Sequence, residues 1–271
     1  MNNQNHLCYH VNTINFRQGI LDKVIDAVYV LLLEGSDRTN KVYRQVHDYQ
    51  LSKNNHILIN QGYKKCKKDL CDNKSYYDLM DANIQAFKHA ENKGYQNILV
   101  LEDDFIFDHR IRDPVVLKDL ESFINHNEFT IYSLGSFNYW VTLNLKNIKH
   151  PGVRISSCAH ALILSKGGRE TILSKFKKDT CLENTIMDGL HDQWYNIIDK
   201  RYSYYKPICY QTFPITENYR EWGGNFIGMI FRILKLDVDY YPGWDIMYLL
   251  LYVINILPYV VLLYVLLSIL N

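Results

Sequence analysis

Three consecutive acids, Glu102-Asp103-Asp104, stand directly after the apolar run Asn97-Ile98-Leu99-Val100-Leu101. Carboxylates crowded this closely raise one another's proton affinity unless a cation compensates. Carboxylate oxygens suit Mg²⁺ or Mn²⁺, ions usually held by one or two protein carboxylates together with oxygens of a substrate phosphate. An exposed acidic turn is the ordinary reading of such a triplet. Its place at the end of a fully apolar strand favours a site instead, because ligands of open α/β sheets gather where the carboxyl ends of strands diverge.

Other side chains add to the candidate chemistry. In His191-Asp192-Gln193-Trp194, Asp192 is the first choice for a general base, with His191 beside it and Asp188 four residues earlier on the same face of a helix. Asp192 reads equally well as a helix N-cap. Arg38 offers the guanidinium fork that matches phosphate oxygens, or else a surface arginine at a helix start. His160, set among small residues in a strand, reads as a hydrogen-bonded core histidine more readily than as a ligand. Tyr219 and Trp222 could stack on a ring or pack against a bilayer.

The elements that must position these groups alternate. Ala27–Leu33 is an apolar run of strand length, followed by Glu34-Gly35-Ser36-Asp37 and a polar helix from Arg38 to Tyr49. A short strand at 56–59 leads into the lysine-rich stretch 61–75, expected to be a mobile loop. An amphipathic helix from Tyr76 to Lys93 ends at Gly94, ahead of strand 97–101. A helix from Pro114 to Asn125 and strand 129–134 complete a βαβα first half, which predicts a mostly parallel sheet flanked by helices. The second half adds strands at 154–157 and 160–165 and a helix over 167–175.

Composition sets the frame. The chain has 271 residues with 30 Lys+Arg against 29 Asp+Glu and a net charge of +1, which removes the basic footprint of charge-driven nucleic-acid binding. Hydrophobic content of 48% with 14% aromatic residues excludes a disordered chain. Ile246 to Leu270 carries no charge, and a helix of roughly 25 residues spans ~37 Å, more than the ~30 Å hydrocarbon slab. It is expected to cross a membrane, kinked at Asn255 and Pro258, behind an interfacial stretch that includes Phe226–Leu236, Tyr240, Tyr241 and Trp244. The amino-terminal residues lack a secretory pattern, so the soluble part is expected on the cytoplasmic face. Six cysteines without CxxC spacing read as reduced thiols. The organisation expected is an extension over 1–26, a catalytic domain over 27–225, a juxtamembrane segment over 226–245 and a transmembrane helix over 246–270.

The run from Gly94 to Phe105 resembles the core motif of the family 25 glycosyltransferases, which include lipopolysaccharide and collagen galactosyltransferases, with Glu-Asp-Asp as the variant of their Asp-x-Asp motif. Val28–Arg38 is similar to the family's opening strand with its Asp-Arg pair, Ala159–Leu173 to its later strand and helix, and His191–Trp194 stands at its later Asp motif. The chain departs from the family at Leu32–Gly35 and lacks its Gly-Cys-x-x-Ser-His motif. The resemblance implies a GT-A fold and transfer of a sugar, commonly galactose from UDP, with inversion, to an acceptor hydroxyl on a glycan, lipid-linked saccharide or protein. It implies Mn²⁺ or Mg²⁺ held by Asp104 with Glu102, and Glu102 or Asp103 on the donor ribose or a metal-bound water; side-chain chemistry adds Arg38 on the diphosphate and Asp192 or His191 as base. Such transfer expels a diphosphate as positive charge builds on the anomeric carbon, so a metal on the leaving group acts mainly in the transition state. A tethered scaffold without turnover, or a nucleotidyltransferase using the same carboxylates, is the alternative.

Overall fold

The computed structural model describes residues 5–70, 72–142, 148–175, 198–213, 226–236 and 242–270. Its centre is a nine-stranded sheet built from β1 (Tyr9–Asn15), β2 (Ala27–Leu33), β3 (Asn54–Asn60), β4 (Asn97–Glu102), β6 (Ile131–Ser133), β7 (Phe137–Thr142), β8 (Gly152–Ser157), β9 (Ala161–Ser165) and β10 (Arg201–Ser203). The order is β1-β3-β2-β4-β9-β6-β10-β8-β7. A separate two-stranded ribbon pairs β5 (Phe105–Phe107) with β11 (Cys209–Gln211).

The expectation of a mostly parallel sheet is corrected. Among the described residues only β2–β3, β2–β4 and β6–β10 pair in parallel; β1–β3, β4–β9, β6–β9, β8–β10 and β7–β8 are antiparallel. The parallel centre is what the apolar runs at 27–33 and 97–101 reveal, since strands covered on both faces lose the polar alternation. Strand direction in the second half carries no comparable mark. Residues 9–15, within the stretch read above as an extension, pair along their whole length with β3 as the sheet's edge.

Helices cover both faces of the centre. On one face α1 (Thr39–Tyr49) and α3 (Pro114–His126) bury Val42, Val46, Leu120 and Phe123 against Val28, Val30, Leu99 and Leu101. On the other, α2 (Ser75–Asn92) and α4 (Lys166–Lys175) bring Ala86, Phe87, Ala90 and Ile172 onto Tyr29, Ile98, Val100 and Leu164. The odd and even positions of each strand divide between these two cores, as a period of two requires. Gly94 closes α2 at a φ of +73°, a conformation that favours glycine. A third apolar cluster joins Phe137, Tyr210 and Phe213 to α5 (Phe226–Ile233) and to the first turns of α6 (Gly243–Leu270). Among the described residues α6 alone is long and apolar enough to cross a membrane, with a mean hydropathy of 1.7 over Gly243–Val261. Pro258 lies inside it without ending it.

Two expectations about the loop after β3 are overturned. Cys8 and Cys66 form a disulfide across Cα atoms 5.7 Å apart, while Cys158 and Cys209 are free and buried. The even strand pairing of β1 with β3 brings the two cysteines together, which spacing alone does not show. Disulfides persist in oxidising compartments, so this one stands against the reduced-thiol reading and weighs against a cytoplasmic domain. The loop is also fastened rather than mobile. Lys68 is fully buried, pairs with Asp78 at 2.5 Å, and donates to the Tyr9 hydroxyl at 2.9 Å and to the Asn60 side-chain oxygen. Burial pushes the Lys68 ammonium down from its ordinary value and Asp78 opposes that shift.

Burial holds His56 and His150 neutral, each pushed down to about 4. Between the ordinary histidine value and that figure, the unfolded chain binds protons that the folded chain refuses, so stability falls as pH falls through this window. The raised carboxyl of Asp104 acts in the opposite sense and offsets part of the loss. Thermal unfolding followed from pH 7 to pH 5 is expected to show the midpoint dropping by about 5 °C or more; a flat or rising midpoint contradicts this balance.

Candidate functional site

The acidic triplet ends β4 at the centre of the sheet, between parallel neighbour β2 and antiparallel neighbour β9. Strand alternation leaves Glu102 on the face of Ile98 and Val100, where it is half-buried and its N–H donates to the His160 carbonyl at 3.0 Å. Asp103 turns toward α1. Its Oδ2 accepts from Arg38 Nη2 at 2.9 Å and from the Ser36 hydroxyl at 3.2 Å. Ser36 belongs to the turn that follows β2, and its carbonyl accepts from the Thr39 hydroxyl at 2.6 Å, which ties that turn to the first residue of α1.

Asp104 is nearly enclosed. Its Oδ2 accepts from Gln211 Nε2 at 3.0 Å, while its carbonyl accepts from the Thr212 N–H at 3.1 Å. Pairing of Phe105 with Gln211 across the ribbon sets that side chain in place. Burial, and then the neighbouring Asp103 charge, push the Asp104 carboxyl up to about 7. Burial also raises Asp103, against the pull of Arg38. Burial disfavours the charged Arg38, yet Asp103 outweighs it and the guanidinium is held above its ordinary value.

Helix α1 locks this arrangement through a stripe at helical spacing. Gln45 donates to the Phe105 carbonyl at 2.7 Å and accepts from the Phe107 N–H at 3.3 Å, and the Tyr49 hydroxyl donates to the Phe107 carbonyl at 2.8 Å. Lys41, half-buried one turn after Arg38, is pushed down by burial and held up by Asp104. Ser36, Lys41 and Gln211 were not singled out in the sequence. The i, i+3 spacing of Arg38 and Lys41 is the signal that could have found Lys41; Gln211 becomes visible only through strand pairing.

Two polar atoms around the turn, Asp104 Oδ1 and Arg38 Nε, are buried without a hydrogen-bond partner among the described residues. Buried polar atoms left unsatisfied are expensive, and their clustering invites a ligand. Among the described residues no group of three His, Cys, Asp or Glu is gathered to hold a metal ion. A single open carboxylate oxygen, that of Asp104, is nonetheless a ligand that a hard cation accepts when substrate oxygens complete its shell. Arg38 Nε offers the complementary donor for an anion. An open cleft of about 390 Å³ lies alongside, above the carboxyl ends of β2 and β3. Leu33, Gly35, Thr39, Ile59 and Gln61 line it, and Gly35 and Thr39 flank Ser36. The acids themselves are not among its walls.

The remaining expected residues separate. His160 is fully buried, bonded through Nε2 to the Cys209 carbonyl at 3.1 Å, and pushed down to about 4 by burial, so it is the core histidine its surroundings suggested. Asp188, His191, Asp192, Trp194, Tyr219, Trp222, Tyr240 and Tyr241 lie outside the described residues.

No protein-family model matches the chain, and no curated protein matches it. Several solved structures are similar to it at low identity, two of them as follows. A197 from STIV is 12% identical with a TM-score of 0.40, over 71% of this chain and 87% of that one. A glycosyltransferase involved in the glycosylation of the major capsid of PBCV-1 is 9% identical with a TM-score of 0.41, over 72% of this chain and 97% of that one. Likenesses of this extent leave function to be argued from the chain's own residues.

The Arg38–Asp103 pair is largely shielded, with side-chain exposures of 22% and 13%. Removing one partner strands the other, so Arg38→Ala is expected to destabilise the fold more than the Arg38→Ala, Asp103→Ala double variant. Denaturant unfolding of the four-member cycle should return a coupling of about 1–3 kcal/mol; additive losses contradict a direct pair.

Proposed function

We propose that this chain is a membrane-anchored glycosyltransferase of GT-A type that moves a sugar from a nucleotide donor to an acceptor hydroxyl. The observation that carries this reading is the complementary set of unsatisfied atoms at the end of β4. Asp104 Oδ1 is an open acceptor that suits a cation, and Arg38 Nε, on the guanidinium that bonds Asp103, is an open donor that suits an anion. A divalent ion on a diphosphate presents those two charges together.

In this reading Asp104 would hold Mn²⁺ or Mg²⁺, whose charge would offset that of the departing diphosphate, and Glu102, on the other face of β4, would act through a metal-bound water. Arg38 binds a diphosphate oxygen, oriented by its bond to Asp103. Asp103 keeps the guanidinium aimed and its own charge compensated. The cleft over Gly35 and Thr39 receives the nucleoside, with the Ser36 turn between it and the phosphates. Asp192, with His191 beside it, remains the proposed base that takes the acceptor proton, a contribution of ~10²–10⁴-fold. Galactose from UDP is the donor first to be tested, and the acceptor is a glycan, a lipid-linked saccharide or a protein.

The test is a panel of nucleotide sugars with the full chain in detergent, measured by calorimetry and by release of UDP with and without Mn²⁺. A metal-dependent donor is expected. Asp104→Asn should lower turnover by about 100-fold or more while leaving the unfolding midpoint close to that of the unaltered chain. Absence of metal-dependent binding across the panel overturns the reading in favour of a tethered scaffold.

A further inference from the structure

Helix α6 does not stand clear of the domain. Trp244, Met247, Tyr248, Leu251 and Asn255 follow helical spacing and face the protein. Trp244 is fully buried, stacked on Phe137 at 4.1 Å, and Leu251 lies in the same cluster. The Tyr248 hydroxyl donates to the Tyr205 carbonyl. Asn255, a polar residue far along an otherwise apolar helix, is engaged by the sheet. It accepts from the Val141 N–H at 2.9 Å and donates to the Asn138 carbonyl at 2.9 Å and the Leu251 carbonyl at 2.8 Å.

Val141 and Asn138 sit on β7, the terminal strand of the sheet. An edge strand presents backbone groups that water ordinarily satisfies, and a low-dielectric medium allows none to be left open. Asn255 closes two of them and is satisfied in return. The opposite side of α6 at this same level is apolar and open: Ile246, Leu249, Leu250, Val253, Ile254 and Leu257 are each between 45% and 61% exposed. Trp140 of β7 is 57% exposed nearby in sequence to Val141, the residue that Asn255 holds. On α5, Met229 and Ile233 are exposed while Phe231 packs into the cluster with Trp244.

We propose that the domain itself, through the β7 edge and the outer face of α6, is seated in a lipid bilayer. A helix side of this length without charge, continuous with the wholly apolar remainder of α6, matches hydrocarbon and its interface rather than water. The indole of Trp140 suits the headgroup level, where aromatic rings concentrate. Because Trp244 Nε1 donates to the Gln211 carbonyl at 2.8 Å and Gln211 bonds Asp104, the seating also fixes the acidic turn close to the membrane surface. This inference depends on α6 entering a membrane and not on the glycosyltransferase reading.

The experiment uses the full chain reconstituted in phosphatidylcholine vesicles, plain or brominated on the acyl chains near the headgroup. The emission of Trp140 is the difference between the unaltered chain and Trp140→Phe. Flotation with the vesicles is expected, with Trp140 emission roughly twofold lower in the brominated lipid. Asn255→Leu, which reopens the two β7 groups, should still float but lose much of that quenching. A chain that does not float overturns the proposal. So does a floating chain whose Trp140 emits equally in both lipids, the result expected if a second copy, rather than lipid, covered this face. Transferase activity, present or absent, changes neither readout.

Discussion

Two adjacent carboxylates buried at one turn repel each other, and the site depends on how that repulsion is answered. Asp103 is met by a guanidinium and a hydroxyl, Asp104 by a single amide donor. The first is nearly satisfied and the second is not, which is why burial and the neighbouring charge raise Asp104 to about 7 while Arg38 holds Asp103 back. The partners come from the connection between β2 and α1 and from the end of β11. Two separate segments therefore converge on one turn, where Asp104 Oδ1 has no hydrogen-bond partner among the described residues.

The convergence explains much of the fold around it. Helix α1 serves as a clamp, with Arg38 on the acids and Gln45 and Tyr49 on the backbone of β5, so the turn between β4 and β5 is gripped along its length. Gly135 has no room for a side chain: a Cβ there would lie 1.7 Å from the Cys209 carbonyl, the group that His160 bonds. That close approach draws β11 against the end of β6 and keeps Gln211 beside Asp104. Trp244 then ties the ribbon to α6, which makes the apolar helix part of the domain's architecture as well as its extension.

What could be read from residues alone follows from where burial is symmetrical. β2 and β4 announce themselves because both faces are covered, and α2 and α3 because one face is; the acidic turn is legible because it follows a strand of the first kind. β1 is invisible because its residues, Tyr9–Asn15, are polar and half-exposed, as an edge strand permits. The Cys8–Cys66 pair and the buried Lys68 depend on β1, so they were hidden with it. The antiparallel second half was missed because short strands such as Arg201–Ser203 carry no directional mark. Of the candidate residues, Arg38, Asp103 and Asp104 are brought together, and Glu102 sits on the opposite strand face.

The central claim is that the open oxygen of Asp104 holds a cation against a diphosphate. Crystals of the chain grown with Mn²⁺ and UDP, measured at the manganese absorption edge, test it directly. The account predicts an anomalous peak within bonding distance of Asp104 Oδ1, with the UDP diphosphate beside Arg38. A map with UDP bound elsewhere and no manganese at Asp104 would contradict it.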